Sequence, residues 1–271
     1  MMGKKTGTSK RFYSRVFCSL VIPCYNEEKN IDGLVNGFVN LPAEKRKSFE
    51  LILVDNGSRD RSLRKLKYYS AKYSFIRYVV VPANQGYGWG ITQGLRCARG
   101  RYIGWAHGDL QYDPAQIMDA VGLLRLMVDE ASGKGVSRKF FFKGLRRNRS
   151  FAEAALTFCM SVTESLIFLK PMRDINAQPT IFNRSLLYSW KAAPKNFSLD
   201  LFAYYAARKM NFIVRRSVMD THPRSSGKSS WNSGWRSRWN LIKIYISDSF
   251  KIKRNLKKLA ADARENNKFS R

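Results

Sequence analysis

The sequence has little negative charge. Asp and Glu total 20 residues against 49 for Lys and Arg, which gives a formal net charge of +29. A surface with this excess disfavours neutral or cationic partners. We therefore expect an anionic partner, such as nucleic acid, a nucleotide or acidic lipid headgroups.

Cysteine is also scarce, and no two cysteines form a Cys-x-x-Cys pair. The four are scattered through apolar surroundings, at Cys18, Cys24, Cys97 and Cys159. Their spacing argues against a zinc site and against a disulfide framework. It fits a reducing, cytoplasmic compartment.

Long apolar runs are absent as well. The basic segment 1–16 precedes an apolar run over 17–23, which is too short for the hydrophobic region and cleavage site of a secretion signal. No apolar run reaches the roughly 18 residues of a membrane-spanning helix. We expect a cytoplasmic protein that meets a membrane only peripherally, on its cytoplasmic face.

The first half of the chain alternates short apolar runs with amphipathic stretches. Such a rhythm predicts an α/β fold in which crossover helices connect the strands of a parallel sheet. Asn26 and Asp113 are placed to cap two of the helices. The predicted strands span 18–22, 51–54, 76–81 and 102–105.

Composition shifts after residue 131. Residues 132–150 are rich in Gly, Ser, Lys and Arg and predict a mobile basic loop. Further periodicity predicts helices over 151–169 and 199–209, strands over 180–182 and 212–218, and a basic, partly apolar helix over 235–263.

Polar turns follow all four predicted strands of the first half. Ligands of open parallel sheets bind beyond the carboxyl ends of the strands, where these turns meet. Asp55 or Asn26 alone is equally well explained as a turn or cap residue, but four such turns favour a binding site. The turns are Pro23-Cys24-Tyr25-Asn26-Glu27, Asp55-Asn56-Gly57-Ser58, Asn84-Gln85-Gly86 and His107-Gly108-Asp109.

The segment from His107 to Gln111 has the spacing of a cation site. In an extended segment, alternate side chains point the same way, which would group the imidazole of His107, the carboxylate of Asp109 and the amide of Gln111. A metal there would neutralise charge on a leaving diphosphate. In isolation, His-x-Asp is more typical of a buried histidine beside a loop cap.

Three blocks resemble glycosyltransferase family 2: SLVIPCYNEEKNI, ELILVDNGSRDRS and NQGYGWGITQGLRCARGRYIGWAHGDLQYDP. The chain is most similar to the dolichyl-phosphate mannose or glucose synthases and their bacterial polyprenyl-phosphate relatives. The resemblance implies a GT-A fold, a Rossmann-like nucleotide-sugar-binding domain over 17–230. It further implies a nucleotide-binding half over 17–113 and an acceptor half over 114–230. The apolar periodicity and charge of the remaining residues predict a basic amphipathic helical tail over 231–271.

The resemblance also implies roles for individual residues. Asp109 and Gln111 would hold Mg²⁺ or Mn²⁺, with His107 standing where the family usually has its first Asp. Replacing a carboxylate by imidazole removes one negative charge from a site for a hard cation. The residues expected to bind the nucleotide sugar are Pro23, Tyr25, Glu27, Asp55, Asn84, Gly86 and Gly108.

The expected reaction is an inverting transfer from a UDP- or GDP-sugar, with Asp109, Asp174 and Asp200 as candidate catalytic residues. A hydroxyl acceptor would need Asp174 or Asp200 as a general base, whereas a polyprenyl phosphate is already anionic. Asp200 is equally explained as a carboxylate favoured by a helix dipole. The expected phosphate or acceptor ligands are Arg146, Arg149, Gln178, Arg224 and Lys228.

Two acceptors and two other classes of function stay open. One class is a non-catalytic scaffold with a decayed transferase site, which His107 suggests and the retention of Asp109 and Gln111 argues against. A polyprenyl phosphate accounts best for the charge excess and for a basic C-terminal helix on an anionic membrane surface. The alternative acceptor is a hydroxyl of a surface glycan or of its lipid-linked precursor. A non-catalytic nucleic-acid-binding protein is the third hypothesis, but no nucleic-acid motif is present and we expect no such partner.

Overall fold

The structure is a computed structural model that describes residues 16–136, 138–148, 150–190, 193–222 and 243–256. Within these ranges, seven strands form one sheet. In chain order they are β1 Cys18–Cys24, β2 Phe49–Asn56, β3 Ile76–Val81, β4 Tyr102–Trp105, β5 Phe140–Arg147, β6 Thr180–Asn183 and β7 Ile213–Asp220. Their order across the sheet is β3-β2-β1-β4-β6-β5-β7.

Helices flank the sheet. They are α1 Glu28–Val39, α2 Ala43–Arg46, α3 Ser62–Lys72, α4 Tyr87–Cys97, α5 Pro114–Gly133, α6 Phe151–Phe168 and α7 Leu199–Lys209, with a 3₁₀ helix at Arg184–Ser189. Residues 243–256 are also helical. In the described ranges, no helix combines the length and the apolar character needed to cross a bilayer.

β6 runs against its two neighbours. It is antiparallel to both β4 and β5, while the remaining pairs, including β5 with β7, are parallel. The direction therefore reverses twice across β6, so that the carboxyl ends of the other six strands share one edge of the sheet. Thr180, at the amino end of β6, reaches the same edge. We call it the strand-end edge; it is where ligands of such sheets bind.

The central strands are nearly continuous apolar runs because helices cover both faces of the sheet. Leu20 and Ile22 pack into the core on one face, and Val21 between them packs into the core on the other. This follows from the two-residue period of a strand. The strands and helices predicted for the first half are confirmed in place.

β5 corrects the predicted basic loop. Residues 140–147 pair with β6 and β7, and Phe140, Phe141 and Phe142 are buried. The Lys and Arg residues that predicted a loop flank this apolar run, and Lys143 interrupts it. Lys143 itself is fully buried, a placement that sequence hydropathy does not anticipate.

One of the two predicted helix caps is confirmed. The Asp113 carboxylate accepts a hydrogen bond from the Ala115 N–H at 2.8 Å and so caps α5. Asn26 does not cap α1: it has a φ of 55°, and its amide oxygen accepts from the Arg59 N–H at 2.8 Å. Its side chain therefore joins the loop after β1 to the loop after β2.

The helix predicted over 235–263 is present at residues 243–256, and the rest of it lies outside the described residues. It packs against α6. The Ser249 hydroxyl donates to Glu164 Oε1 at 2.8 Å, and the Lys253 ammonium donates to the Ile167 carbonyl. Tyr245 and Ile252 enter the core.

Burial at this helix contact raises the pKa of Glu164 to about 7, although the Ser249 hydrogen bond opposes the shift. Between the ordinary carboxyl value of 4.5 and 7, the folded protein keeps a proton that the unfolded chain loses. Stability from this group therefore falls as pH rises through that range. Glu164→Gln cannot ionise, so we expect it to lose less stability than the wild type between pH 5 and pH 8, measured by urea unfolding.

Glu153→Gln is the matched control, since Glu153 is exposed on the same helix. It should follow the pH dependence of the wild type. Equal pH dependence in the wild type and Glu164→Gln would contradict the assignment.

Candidate active site

The predicted nucleotide-sugar residues of β1 and β2 meet at the strand-end edge. Cys24 lies opposite Asp55 in the parallel register, which places Pro23 and Tyr25 beside the end of β2. Asp55 is buried, and its Oδ1 accepts from the Ser58 N–H at 3.2 Å. The Tyr25 side chain is exposed. A buried carboxylate beside an exposed aromatic ring can bind a sugar hydroxyl and a flat base together.

The loop after β3 is fixed by close backbone contacts. Asn84 Oδ1 accepts from the Gly86 N–H at 2.8 Å, and Asn56 Nδ2 donates to the Gly86 carbonyl at 3.1 Å. Gly86 has a φ of +110°, and a Cβ there would lie 2.5 Å from the Lys195 carbonyl oxygen. Only glycine fits both conditions. Asn56, which the sequence analysis did not select, thus joins Asn84 in shaping this loop.

The segment from His107 to Gln111 bends instead of continuing β4. Leu110 has a φ of 59°, and Asp109 Oδ1 accepts from the Gln111 N–H at 3.3 Å. The expectation of an extended segment with three aligned side chains is therefore wrong, because a left-handed residue breaks the two-residue alternation. A turn closed by its own carboxylate places Asp109 and Gln111 at the strand-end edge. Gly108 packs against Ile22, since a Cβ there would lie 3.1 Å from Ile22 Cγ2.

The end of β7 adjoins this turn. The backbone N–H of His222 donates to the Gln111 carbonyl at 3.0 Å. Sequence reasoning missed His222, because 111 residues separate it from Gln111 and only the sheet order brings them together. Among the described residues, no group of three or more His, Cys, Asp or Glu side chains is arranged to hold a metal ion.

His107 belongs to a column of three rings. Its imidazole stacks on Tyr87 with ring centres 5.3 Å apart, and Tyr87 stacks on Phe197 at 4.7 Å. The Tyr87 hydroxyl lies 3.4 Å from His107 Nε2 and donates to Asp200 Oδ2 at 3.5 Å. Loss of hydration, reinforced by the charge of Asp200, raises the pKa of Tyr87 well above its ordinary value. Tyr87 is therefore a neutral donor that links His107 to Asp200.

Asp200 is the centre of a buried polar cluster. Its Oδ1 accepts from Gln178 Nε2 at 2.9 Å and forms an ion pair with Lys143 Nζ at 3.5 Å. The Lys143 ammonium also donates to the Thr180 hydroxyl at 2.8 Å and to the Ala177 carbonyl at 2.9 Å. Burial lowers the pKa of Lys143 to about 8, and Asp200 opposes that shift. These contacts give Asp200 partners on other elements, which a role at the start of α7 alone would not require.

Two predicted site residues pair with each other. Arg146 donates to Asp174 from Nε at 2.8 Å, from its backbone N–H at 2.9 Å and from its second guanidinium nitrogen. Burial acts against ionisation of Asp174, but the Arg146 charge holds the pKa of that carboxyl below its usual range. A carboxylate with three donors is a poor proton acceptor. Arg149, Arg224 and Lys228 lie outside the described residues.

Residues 19–183 match the family described as Glycosyl transferase family 2. The chain belongs to glycosyl transferase family 2. The family 2 chain is 36% identical over 170 residues to dodecaprenyl-phosphate galacturonate synthase of Rhizobium johnstonii, covering 62% of the chain and 48% of that relative. It is 33% identical over 106 residues to undecaprenyl-phosphate 4-deoxy-4-formamido-L-arabinose transferase of Shewanella sediminis, covering 39% and 32%. These relatives are of the branch that the sequence resembles, and the chain matches less than half of the length of each.

The family 2 chain also has a known architecture. It is similar to glucosyl-3-phosphoglycerate synthase of Mycobacterium tuberculosis in complex with Mn²⁺, UDP-glucose and phosphoglyceric acid, with a TM-score of 0.63 and 17% identity. The similarity covers 86% of this chain and 80% of the synthase chain. It confirms the GT-A fold.

Loss of either partner of the Lys143–Asp200 pair should destabilise the fold. Removing one partner leaves the other charged and buried, so we expect Lys143→Met and Asp200→Asn each to lower the free energy of unfolding by about 3 kcal/mol. The double variant should lose less than the sum of the two. Urea unfolding of all four proteins measures the coupling.

The control pair is Glu130 and Lys134, which are exposed and joined at 2.6 Å on the surface of α5. The double-mutant cycle of Glu130→Gln and Lys134→Met should show almost no coupling, because water screens such pairs. If the buried pair coupled no more strongly than this one, its structural role would be wrong.

Proposed function

We propose that this family 2 chain is an inverting glycosyltransferase that moves a sugar from a UDP- or GDP-sugar to a lipid-linked acceptor, namely a polyprenyl phosphate. The observation that carries the proposal is its 36% identity to dodecaprenyl-phosphate galacturonate synthase over 170 residues. The clustering of the family's motif residues at the strand-end edge supports it. The donor half comprises residues 17–113, and the acceptor half comprises residues 114–230.

In the donor half, the buried Asp55 carboxylate accepts from the ribose or the base, and Tyr25 covers the nucleotide. Gly86 and Gly108 keep the loops after β3 and β4 in shape beside the diphosphate, because a side chain at Gly86 would collide with the Lys195 carbonyl and one at Gly108 would crowd Ile22. The proposed donor ligands are Pro23, Tyr25, Glu27, Asp55, Asn84, Gly86 and Gly108.

A divalent metal, Mg²⁺ or Mn²⁺, fits the donor set of the Asp109 turn. A carboxylate and an amide oxygen are ligands that hard cations prefer. Solved GT-A structures that carry Mn²⁺ support this choice. We place Asp109 and Gln111 as ligands and His107 as a further one, although His107 also faces Tyr87. When bound, the metal supplies neutralising charge to the leaving diphosphate.

In the acceptor half, charge and position matter more than proton transfer. A phosphate oxygen is already anionic, so its attack on the sugar needs no general base. Arg146 binds this phosphate, and Asp174 orients the guanidinium of Arg146. Arg149, Gln178, Arg224 and Lys228 complete the proposed acceptor contacts, and the protein acts peripherally at an anionic membrane surface on the cytoplasmic side.

The alternative acceptor is a hydroxyl of a glycan or of its lipid-linked precursor. The buried cluster at Asp200 favours this version, because it holds a carboxylate at the strand-end edge where a general base would be needed. Asp200→Asn separates the two acceptors. A transfer to phosphate should keep activity within about tenfold of the wild type, and a transfer to hydroxyl should lose at least about a hundredfold.

The transfer itself is tested with purified protein, short-chain polyprenyl phosphate, Mn²⁺ or Mg²⁺ and a panel of nucleotide sugars. We expect an organic-extractable sugar product that Asp109→Ala reduces by at least about a hundredfold, since the variant removes a carboxylate from the metal site. Asp113→Ala is the control: it removes a nearby carboxylate that caps α5. If no donor in the panel gave an extractable product, the proposal would be wrong.

His107 stands where the family usually has an Asp, and this difference gives a separate prediction. His107→Asp restores a second carboxylate beside Asp109, so we expect the Mn²⁺ concentration for half-maximal activity to fall about tenfold. His107→Asn is the matched control, because it removes the imidazole from the ring column as His107→Asp does but adds no carboxylate. An unchanged or higher Mn²⁺ requirement in His107→Asp would remove position 107 from the metal site.

A further inference from the structure

The helix at 243–256 reaches the segment that precedes α7. Asp248 Oδ2 accepts from the side-chain amide of Asn196 at 2.7 Å and from the hydroxyl of Ser198 at 2.9 Å. Ser198 is 2% exposed. A hydroxyl with so little access to water needs a partner in the protein, and Asp248 supplies it.

Ser198 gives up its usual role to make this contact. It stands directly before α7, where a serine side chain normally caps the helix. The Ser198 hydroxyl makes no capping bond to α7 and donates to Asp248 instead. The contact therefore replaces a local interaction by one that joins two elements 50 positions apart.

Asp248 also fixes the turn from which α7 starts. The Asn196 amide oxygen accepts from the Ser198 N–H at 3.1 Å, while its amide nitrogen donates to Asp248. Both ends of the Asn196 side chain are thus bonded, so it cannot rotate without breaking one of the two contacts. α7 carries Asp200 in its first turn, and the position of that carboxylate therefore depends on this turn.

The 194–198 segment forms a wall of the candidate active site. Phe197, which lies between the two residues bonded to Asp248, stacks on Tyr87 with ring centres 4.7 Å apart. Tyr87 stacks in turn on His107. Because both chain neighbours of Phe197 are held, its ring cannot leave this ring column without breaking the contacts to Asp248.

The loop after β3 packs against the same segment. The Lys195 carbonyl accepts from the Trp89 N–H at 3.0 Å, and a Cβ at Gly88 would lie 2.4 Å from the Pro194 carbonyl oxygen. Backbone therefore meets backbone here with no side chain between. A shift of the 194–198 segment would be passed directly to the start of α4.

Two further contacts of the 243–256 helix distinguish a directed role from ordinary packing. The Tyr245 hydroxyl donates to Asn176 Oδ1 at 3.4 Å, in the loop that precedes β6. The same helix thus contacts the segments on both sides of the Asp200 cluster. Asp248 contributes no apolar surface, and its other oxygen lies 3.4 Å from the ammonium of Lys251.

We infer that Asp248 is a positioning residue of the candidate active site, because it holds the 194–198 segment so that Phe197 and Asp200 keep their places beside Tyr87. Its effect on catalysis rests on the proposed function, whereas its effect on the ring column does not. Asp248 lies beyond residues 19–183, which match the family. A segment outside the matched stretch therefore completes the site.

The ring column can be observed without any substrate. The chain has two histidines, so its imidazole NMR signals come from His107 and His222 alone, and His222→Gln assigns them. The ring current of the stacked Tyr87 displaces the His107 signals. We expect Asp248→Ala to move the His107 signals and to leave those of His222 in place.

Two variants control this measurement. Asp248→Asn should keep the wild-type His107 signals, because its amide oxygen can still accept from Asn196 and Ser198. Ser249→Ala removes a hydroxyl that donates to α6 from the same helix and should move neither set of signals. Far-ultraviolet circular dichroism and thermal unfolding verify that each variant is folded. If Asp248→Ala does not fold, Ser198→Ala takes its place, since it removes one of the two donors.

Transfer kinetics test the consequence for catalysis. We expect Asp248→Ala to lower kcat about tenfold, because a small displacement of the site is costly, and Asp248→Asn to restore it. The KM for the nucleotide sugar should stay within about threefold of the wild type. The proposed base and ribose contacts, Asp55 and Tyr25, lie on loops that Asp248 does not touch.

Three results would overturn the inference. The first is a set of His107 signals that Asp248→Ala leaves unmoved. The second is equal movement of the His222 signals, which would indicate a general disturbance of the fold. The third is a wild-type kcat in Asp248→Ala although the His107 signals have moved.

The two measurements also separate this inference from the proposed function. Moved His107 signals in a protein that transfers no sugar support the positioning of the ring column and count against the proposed function alone. Sugar transfer together with unmoved His107 signals has the opposite meaning.

Discussion

The buried ion pair between Lys143 and Asp200 is the constraint on which the arrangement of β5, β6 and α7 depends. Lys143 comes from β5 and Asp200 from α7, and the Thr180 hydroxyl of β6 binds the same ammonium. Two charges removed from water are tolerated only when each satisfies the other and further hydrogen bonds complete the cluster. The pair therefore fixes β5, β6 and α7 in one arrangement and holds a carboxylate at the strand-end edge.

The stacked rings of His107, Tyr87 and Phe197 extend this constraint to the loops after β3 and β4. Tyr87 begins α4 and touches both His107, after β4, and Asp200. The loops that would bind the nucleotide and the metal are thus connected to the buried polar cluster at Asp200. The connection is made by the Tyr87 hydroxyl and by the stacking of Tyr87 on His107 and Phe197. In such a site, the substitution of a carboxylate by His107 is compatible with packing, because the imidazole has an aromatic partner that a carboxylate would lack.

The sequence predicted what depends on local pattern. β1 to β4 and the cap at Asp113 follow from apolar runs and from capping chemistry. Prediction from the sequence failed where a residue's environment comes from distant partners. The charge of Lys143 indicated a loop, because its counter-charge, Asp200, lies 57 positions further along the chain. His222 and Tyr87 were missed for the same reason. The periodicity of α6 marks an apolar side, but it does not say which side the rest of the chain covers.

β6 lies between β4 and β5, although it follows both in the chain. The sheet that begins with β1 to β4 is therefore completed by β6, and a fragment ending near residue 113 would leave the β4 edge unpaired and open to aggregation. Chimeras between members of this family cannot simply join residues 17–113 of one member to the remaining residues of another. Any exchange must move β6 together with β4, the strand with which it pairs.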